Sequence, residues 1–203
     1  MSDREAIFKD IRAALAPLEG KQTPYPEWAD ELVVTENHPA GLDKRVDRFK
    51  YRLEAVHGTF VQGMPALRDW LKAEGLTKGY IDPTLKEQFA ADLEGLELET
   101  ELDRSRIDDY TFGITRGTGG IAETGTIILT DRKTSSRLGA LAPWVHVALI
   151  KEDEIYPDVP AAVAAFDDDP SIVFVTGPSK TADVEGILIE GVHGPGKQLC
   201  CLI

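Results

Sequence analysis

The sequence predicts an α/β protein built on a largely parallel sheet with helices on both faces. Three observations carry this. From residue 58 onward, short apolar β-type runs alternate with amphipathic helical segments, the order that strand–helix–strand units produce. The run Val145–Ile150 is apolar almost throughout, as strands covered on both faces are. The 203 residues are 42% apolar, enough to fill a core.

Each element follows from local pattern. Ser2 and Glu5 stand at capping-box spacing, and Ile7, Ile11, Ala14, Leu15 and Leu18 recur helically. A helix is therefore expected over 3–16, ended by Pro17. Residues 20–41 carry Pro24, Pro26 and Pro39 with Tyr25 and Trp28 between, and read as an extended, irregular arm. Leu42, Val46, Phe49, Leu53 and Val56 mark a helix over 42–57. Thr59–Val61 reads as a strand, Pro65–Glu74 as a helix with Gly75 after its end, and Gly79–Ile81 as a strand. A helix over 83–93 and short strands at Leu96–Leu98 and Tyr110–Thr115 follow. After the buried run at 145–150, Asp158 caps a helix that has Pro160 in its first turn and runs to Phe166. Ile172–Thr176 reads as another buried strand, Thr181–Glu190 as a helix and Gln198–Ile203 as the last strand. The division expected is a helical extension and arm over 1–57 and an α/β domain over 58–203.

Charge and composition exclude several classes. The formal net charge is −13 with no basic stripe, which argues against nucleic acid and against an anionic membrane surface as partner. No apolar run approaches the ~20 residues that span a bilayer, and the N-terminus shows no secretory apolar region. A cytoplasmic protein is expected. Cys200 and Cys201 are neighbours, so no CxxC site is available and no iron–sulfur cluster can sit on this chain's own thiolates. The four histidines lack metal-ligand spacing, so no metal and no cofactor of its own is expected.

Three loops carry candidate chemistry. The first is GITRGTGGIAETGTIIL, 113–129. Thr115 ends a strand, Gly117, Gly119 and Gly120 crowd into four residues, and Glu123 and Thr124 follow. Such a stretch is either a tight turn between core strands or a floor of backbone N–H groups for an anion, with Glu123 as acid, base or acceptor. The spacing of Gly117, Gly119 and Ala122 imitates a dinucleotide fingerprint, but a β run follows where a helix is required. The second loop, Gly177-Pro178-Ser179-Lys180-Thr181, lacks the glycines of a P-loop. Leading into a helix, it would offer N–H groups, hydroxyls and the Lys180 cation to an anion; the alternative is that Ser179 or Thr181 only caps that helix while Asp183 answers its dipole. The third holds Arg137, either a carboxylate clamp or a surface ion-pair partner. His146 lies in an apolar strand and reads as a satisfied core histidine, whereas His193, in the turn His193-Gly194-Pro195-Gly196, is the better proton carrier. Because ligands of parallel sheets gather at the carboxyl ends of strands, the loops after Thr115, Leu129 and Thr176 are expected to share one mouth.

The blocks 113–129, SRLGALAPWVHVALI (136–150) and FVTGPSKTADVEGILIEGVHGPG (174–196) resemble, in order and spacing, the LutC/YkgG family of LUD-domain proteins, the lactate-utilization group. The resemblance implies a three-layer α/β/α sandwich similar to the NagB/RpiA/CoA-transferase group. It also implies a role in oxidising L-lactate to pyruvate together with iron–sulfur partner proteins, which would carry the clusters. On that reading Arg137 or Lys180 holds a small carboxylate or phosphate, and Glu123 or His193 moves a proton from the 2-hydroxyl. The alternatives are a non-catalytic scaffold for those partners, or a stand-alone enzyme on CoA esters, sugar phosphates or folates.

Overall fold

The computed structural model describes residues 3–18, 41–42, 44–134, 136–166, 169–182 and 187–203. The chain falls into two compact units, Met1–Glu36 and Asn37–Ile203. In the first, helix α1 (Asp3–Leu15) carries Asp3 and Glu5 in its first turn and Arg12 in its last, the signs that suit a helix dipole, and passes into a 3-10 turn at Ala16–Leu18. Most of the arm expected over 20–41 lies outside the described residues.

The second unit runs α2 (Arg45–Ala55), β1 (Thr59–Gln62), α3 (Met64–Ala73), β2 (Lys78–Ile81), α4 (Pro83–Phe89), β3 (Glu97–Glu99), β4 (Phe112–Arg116), β5 (Gly119–Ile121) and β6 (Thr126–Thr130). It continues with α5 (Arg137–Leu141), β7 (Val145–Ile150), β8 (Ile155–Tyr156), α6 (Val159–Ala165), β9 (Ile172–Val175), β10 (Lys180–Ala182), β11 (Leu188–Glu190) and β12 (Lys197–Leu202). Helix α2 belongs to this unit, not to an extension ending at 57. Phe49 and Leu53, one turn apart, are fully buried in its core.

Six strands form a wholly parallel sheet in the order β1-β12-β7-β4-β2-β3. The last strand in sequence thus sits inside the sheet, which is why Leu199–Leu202 are buried on both faces. On one face Leu67 and Leu71 of α3 and Leu85 of α4 pack on Ile114, Val147 and Cys201. On the other, Phe49 and Leu53 of α2 and Ala140 of α5 meet Ala148, Ile150 and Cys200. The three-layer α/β arrangement is therefore present, and the layer on the α2 side also carries a four-stranded sheet, β8-β5-β6-β9. Helix α6, capped by Asp158, whose carboxylate accepts from the Ala161 N–H, packs on that smaller sheet.

Two expectations fail locally. The glycine stretch is not an open loop: Gly119–Ile121 is β5, paired antiparallel with β6 and parallel with β8. Where a helix is expected over 181–190, the described residues are strands instead. Lys180–Ala182 and Leu188–Glu190 form an antiparallel hairpin, with Lys180 opposite Glu190. No helix among the described residues is long and apolar enough to cross a membrane.

Candidate functional site

The glycines of the first motif are packing residues. The Gly117 N–H donates to the Leu149 carbonyl and the Thr118 N–H to that of Ile128, so these amides are engaged in sheet pairing rather than turned to a ligand. A Cβ on Gly117 would lie 2.6 Å from the Ile150 side chain, one on Gly119 2.6 Å from the Glu154 carbonyl oxygen, and one on Gly120 2.8 Å from Phe49. Thr115 is fully buried and faces His146. Glu123 and Thr124 occupy the β5–β6 turn, where the Glu123 N–H donates to the Pro157 carbonyl and Thr124 shares a 2.6 Å hydroxyl contact with Thr126. Thr126 in turn meets Thr176 at 2.8 Å.

Gly125 and Gly177, one from each of the two glycine-bearing motifs, seat the end of α2. Gly125 has φ +67° and lies against the backbone of Arg52 and Leu53; Gly177 has φ +75° and lies against the Val56 carbonyl. Both sites thus combine a left-handed backbone with an approach too close for a side chain. The Lys180 ammonium caps the same helix end, donating to the Val56 carbonyl at 3.0 Å and lying 3.7 Å from Glu190. Glu190 also bonds His57 Nδ1 at 2.7 Å. Lys180 therefore has partners in the hairpin and in α2. Thr181 lies in β10, and Asp183 falls outside the described residues. Arg137 opens α5, pairs with Asp131, and follows Ser136, whose hydroxyl accepts from the Gly139 N–H. It reads as an ion-pair partner.

The ligand-sized space lies elsewhere, at the amino ends of the parallel strands. A cavity of ≈ 710 Å³ is lined by Leu76, Tyr110, Thr111 and Trp144, which precede β2, β4 and β7, and by the turn Gly191–Gly194 before β12. Beside it a chamber of ≈ 270 Å³ lies between Val173–Ser179, His193–Pro195 and Gln198. Leu141, His193 and Gly194 line both. The motifs at 177–179 and 193–196 are thus brought together: the Ser179 N–H donates to the Pro195 carbonyl, and the Gly191 N–H to that of Ser179. Glu123, Lys180 and Arg137 line neither space. The expected carboxyl-end mouth is instead occupied by structure. Arg116, at the end of β4, pairs with half-buried Glu154 and donates to the Leu149 carbonyl at 2.8 Å.

Behind the smaller chamber runs a buried polar line. His146 Nδ1–H donates to Gln198 Oε1 at 2.9 Å, and His146 Nε2 accepts from the Thr115 hydroxyl at 2.8 Å. This tautomer is assigned from the network, since the Gln198 Nε2 donates to the Leu199 carbonyl at 3.1 Å and leaves Oε1 as the acceptor. Burial pushes the His146 imidazolium down to about 4, with the Gln198 bond opposing, so the ring is neutral. Burial likewise raises the Cys201 thiol to about 12 and holds the Cys200 thiol well above its ordinary value, and no group of three metal-ligating side chains occurs among the described residues. Trp144, Leu141 and Gln198 were not singled out as site residues by sequence reasoning. The available signal was a tryptophan directly before a buried strand, together with a turn that has glycine at 191, 194 and 196.

These features define an α/β sheet protein with a two-chambered cleft of small-molecule size at the amino ends of its parallel strands. Residues 46–203 match the family described as LUD domain, and the chain belongs to that family. It is 29% identical over 95% of its length, and 96% of the relative's, to a lactate utilization protein C of Anoxybacillus flavithermus. It is 23% identical over 100% of its length, and 97% of the relative's, to the protein of that name from Bacillus pumilus. The crystal structure of a DUF162 family protein from Deinococcus radiodurans superposes with TM-score 0.56 at 23% identity, covering 78% of this chain and 95% of that one, a likeness of fold.

Proposed function

We propose that this chain acts in lactate utilization as the member without a redox centre, working with iron–sulfur partner proteins, and that the smaller chamber holds the small hydroxy or oxo acid. The relatives' shared name supports the role. The observation that carries the site is the meeting of the 177–179 and 193–195 turns around His193, at the boundary of both chambers. Among the described lining residues there is neither lysine nor arginine, so the acid's carboxylate is held by a ring N–H of His193 and by the Ser179 hydroxyl. On this reading the other ring nitrogen of His193 accepts the 2-hydroxyl proton when lactate becomes pyruvate. The Cα hydrogen leaves as hydride to a two-electron organic cofactor supplied outside this chain, which passes its electrons singly to the partners' clusters.

Calorimetric titration with lactate, pyruvate and inorganic phosphate tests this. The full chain is expected to bind lactate or pyruvate. His193→Gln should weaken binding roughly tenfold or more, the usual loss of a hydrogen bond to a charged group, and Ser179→Ala less. Lys180→Ala and Glu123→Gln should leave it unchanged. Binding lost in the latter pair and kept in His193→Gln would overturn the assignment.

A further inference from the structure

We infer that the larger cavity is a second ligand site, a stacking platform on Trp144 for an uncharged planar heteroaromatic or quinone ring. The inference stands on the indole and its seat and does not depend on the lactate reading. Trp144 immediately precedes β7, yet the residue remains 52% exposed and lines the ≈ 710 Å³ cavity. Its position is fixed by the turn before β12. A Cβ on Gly191 or on Gly196 would overlap the six-membered ring of the indole, so the two glycines press directly on it. The Trp144 carbonyl accepts from the Lys197 N–H at 3.1 Å, which fixes the backbone beneath the ring. A large aromatic held by close backbone contact and still open has little rotamer entropy to lose on stacking.

The remaining walls select the ligand. Leu76, Ile107, Leu141 and Val192 are apolar, and Tyr110 is anchored by its hydroxyl, which donates to Glu99 at 2.8 Å. The volume falls within the ~300–1,000 Å³ of drug- and cofactor-sized sites and exceeds what a three-carbon acid fills. Asp108, Tyr110 and His193 are the titratable groups in its lining, and neither lysine nor arginine lines it among the described residues. A phosphate-bearing ring would meet no lysine or arginine there, so an uncharged ring is favoured. Such a ring would lie one residue, His193, away from the smaller chamber.

Riboflavin and menadione are suitable probes, both planar and uncharged. Calorimetry and tryptophan emission on the full chain should show saturable binding of at least one. Trp144→Ala should weaken that binding about five- to hundredfold, the range set by loss of one aromatic stack, and Trp144→Phe should recover part of it. In the wild-type protein the indole N–H resonance of Trp144 should shift on addition of the ring while that of Trp70 stays, a readout independent of how the variants fold. Absence of saturable binding, an unchanged Kd in Trp144→Ala, or a shift confined to another tryptophan would overturn the inference. If a ring binds while lactate and pyruvate do not, the small-acid reading fails and this one stands.

Discussion

Between pH 6.5 and 4 the protein is expected to lose about 3 kcal/mol of stability through one side chain, His146. The imidazole is fully buried, and burial holds its folded value down to about 4, whereas the unfolded chain has the ordinary 6.5. The sign follows from proton counting. Above pH 6.5 both states are neutral and the full stability is present. Below it the unfolded state takes up a proton that the folded state refuses, so stability falls with pH until the folded value is reached. The interval of about 2.5 pH units corresponds to about 3 kcal/mol. Urea unfolding of wild type and His146→Gln at a series of pH values isolates the effect, because every other titrating group is common to both. The difference between the two profiles should change by about that amount across the interval. Parallel profiles would show that His146 is reached by water or protonated in the fold.

Gly125→Ala is expected to cost about 3 kcal/mol or more, although the glycine sits in a motif that reads as a ligand loop. An alanine there meets two obstacles. The φ of +67° costs an L-residue roughly 1–2 kcal/mol by itself. Its Cβ would also overlap the backbone of Arg52 and Leu53, which cannot swing aside as a side-chain end can. Gly75 separates the two effects: its φ is +72° and nothing lies within 4 Å of the added carbon. Gly75→Ala should therefore show the backbone strain alone. Urea midpoints that place the two variants within about 1 kcal/mol of each other would mean that α2 yields readily at its seat.

Much of the fold was legible because burial writes itself into sequence. Val145–Ile150 is a central strand flanked on both sides, and the run at 199–202 is buried for the same reason. Asp158 and Pro160 mark the start of α6 because a cap and a proline at the first turn have few other uses. Residues 181–190 misled because Leu188 and Ile189 are exposed, 56% and 41%, so their apolar run did not mark a buried face and carried no helical information. Once that segment is a hairpin, the helix N-terminus imagined at Lys180 disappears.

The site was legible by halves. Gly177, Ser179 and His193 do meet at one cleft, because two turns separated by the hairpin are tied back to back through Ser179 and Pro195. For Gly117, Gly119 and Gly120 the sequence left both readings open, because a glycine required for close packing and one required for an anion look alike in sequence. Only coordinates show whether the neighbour of the missing Cβ is empty space or, as here, Ile150, Phe49 and α2. The rule that ligands gather at carboxyl ends points away from the two cavities, since β4 runs on through two residues into β5 and the ion pair of Arg116 with Glu154 lies at that edge.

Backbone amide shifts recorded on adding lactate or pyruvate to the full chain report most directly where a small acid binds. Perturbations centred on Thr176–Ser179 and on Val192–Gly194, with 119–126 unmoved, are the predicted result. Shifts centred on Glu123 and Lys180, leaving the 192–194 turn silent, would contradict it.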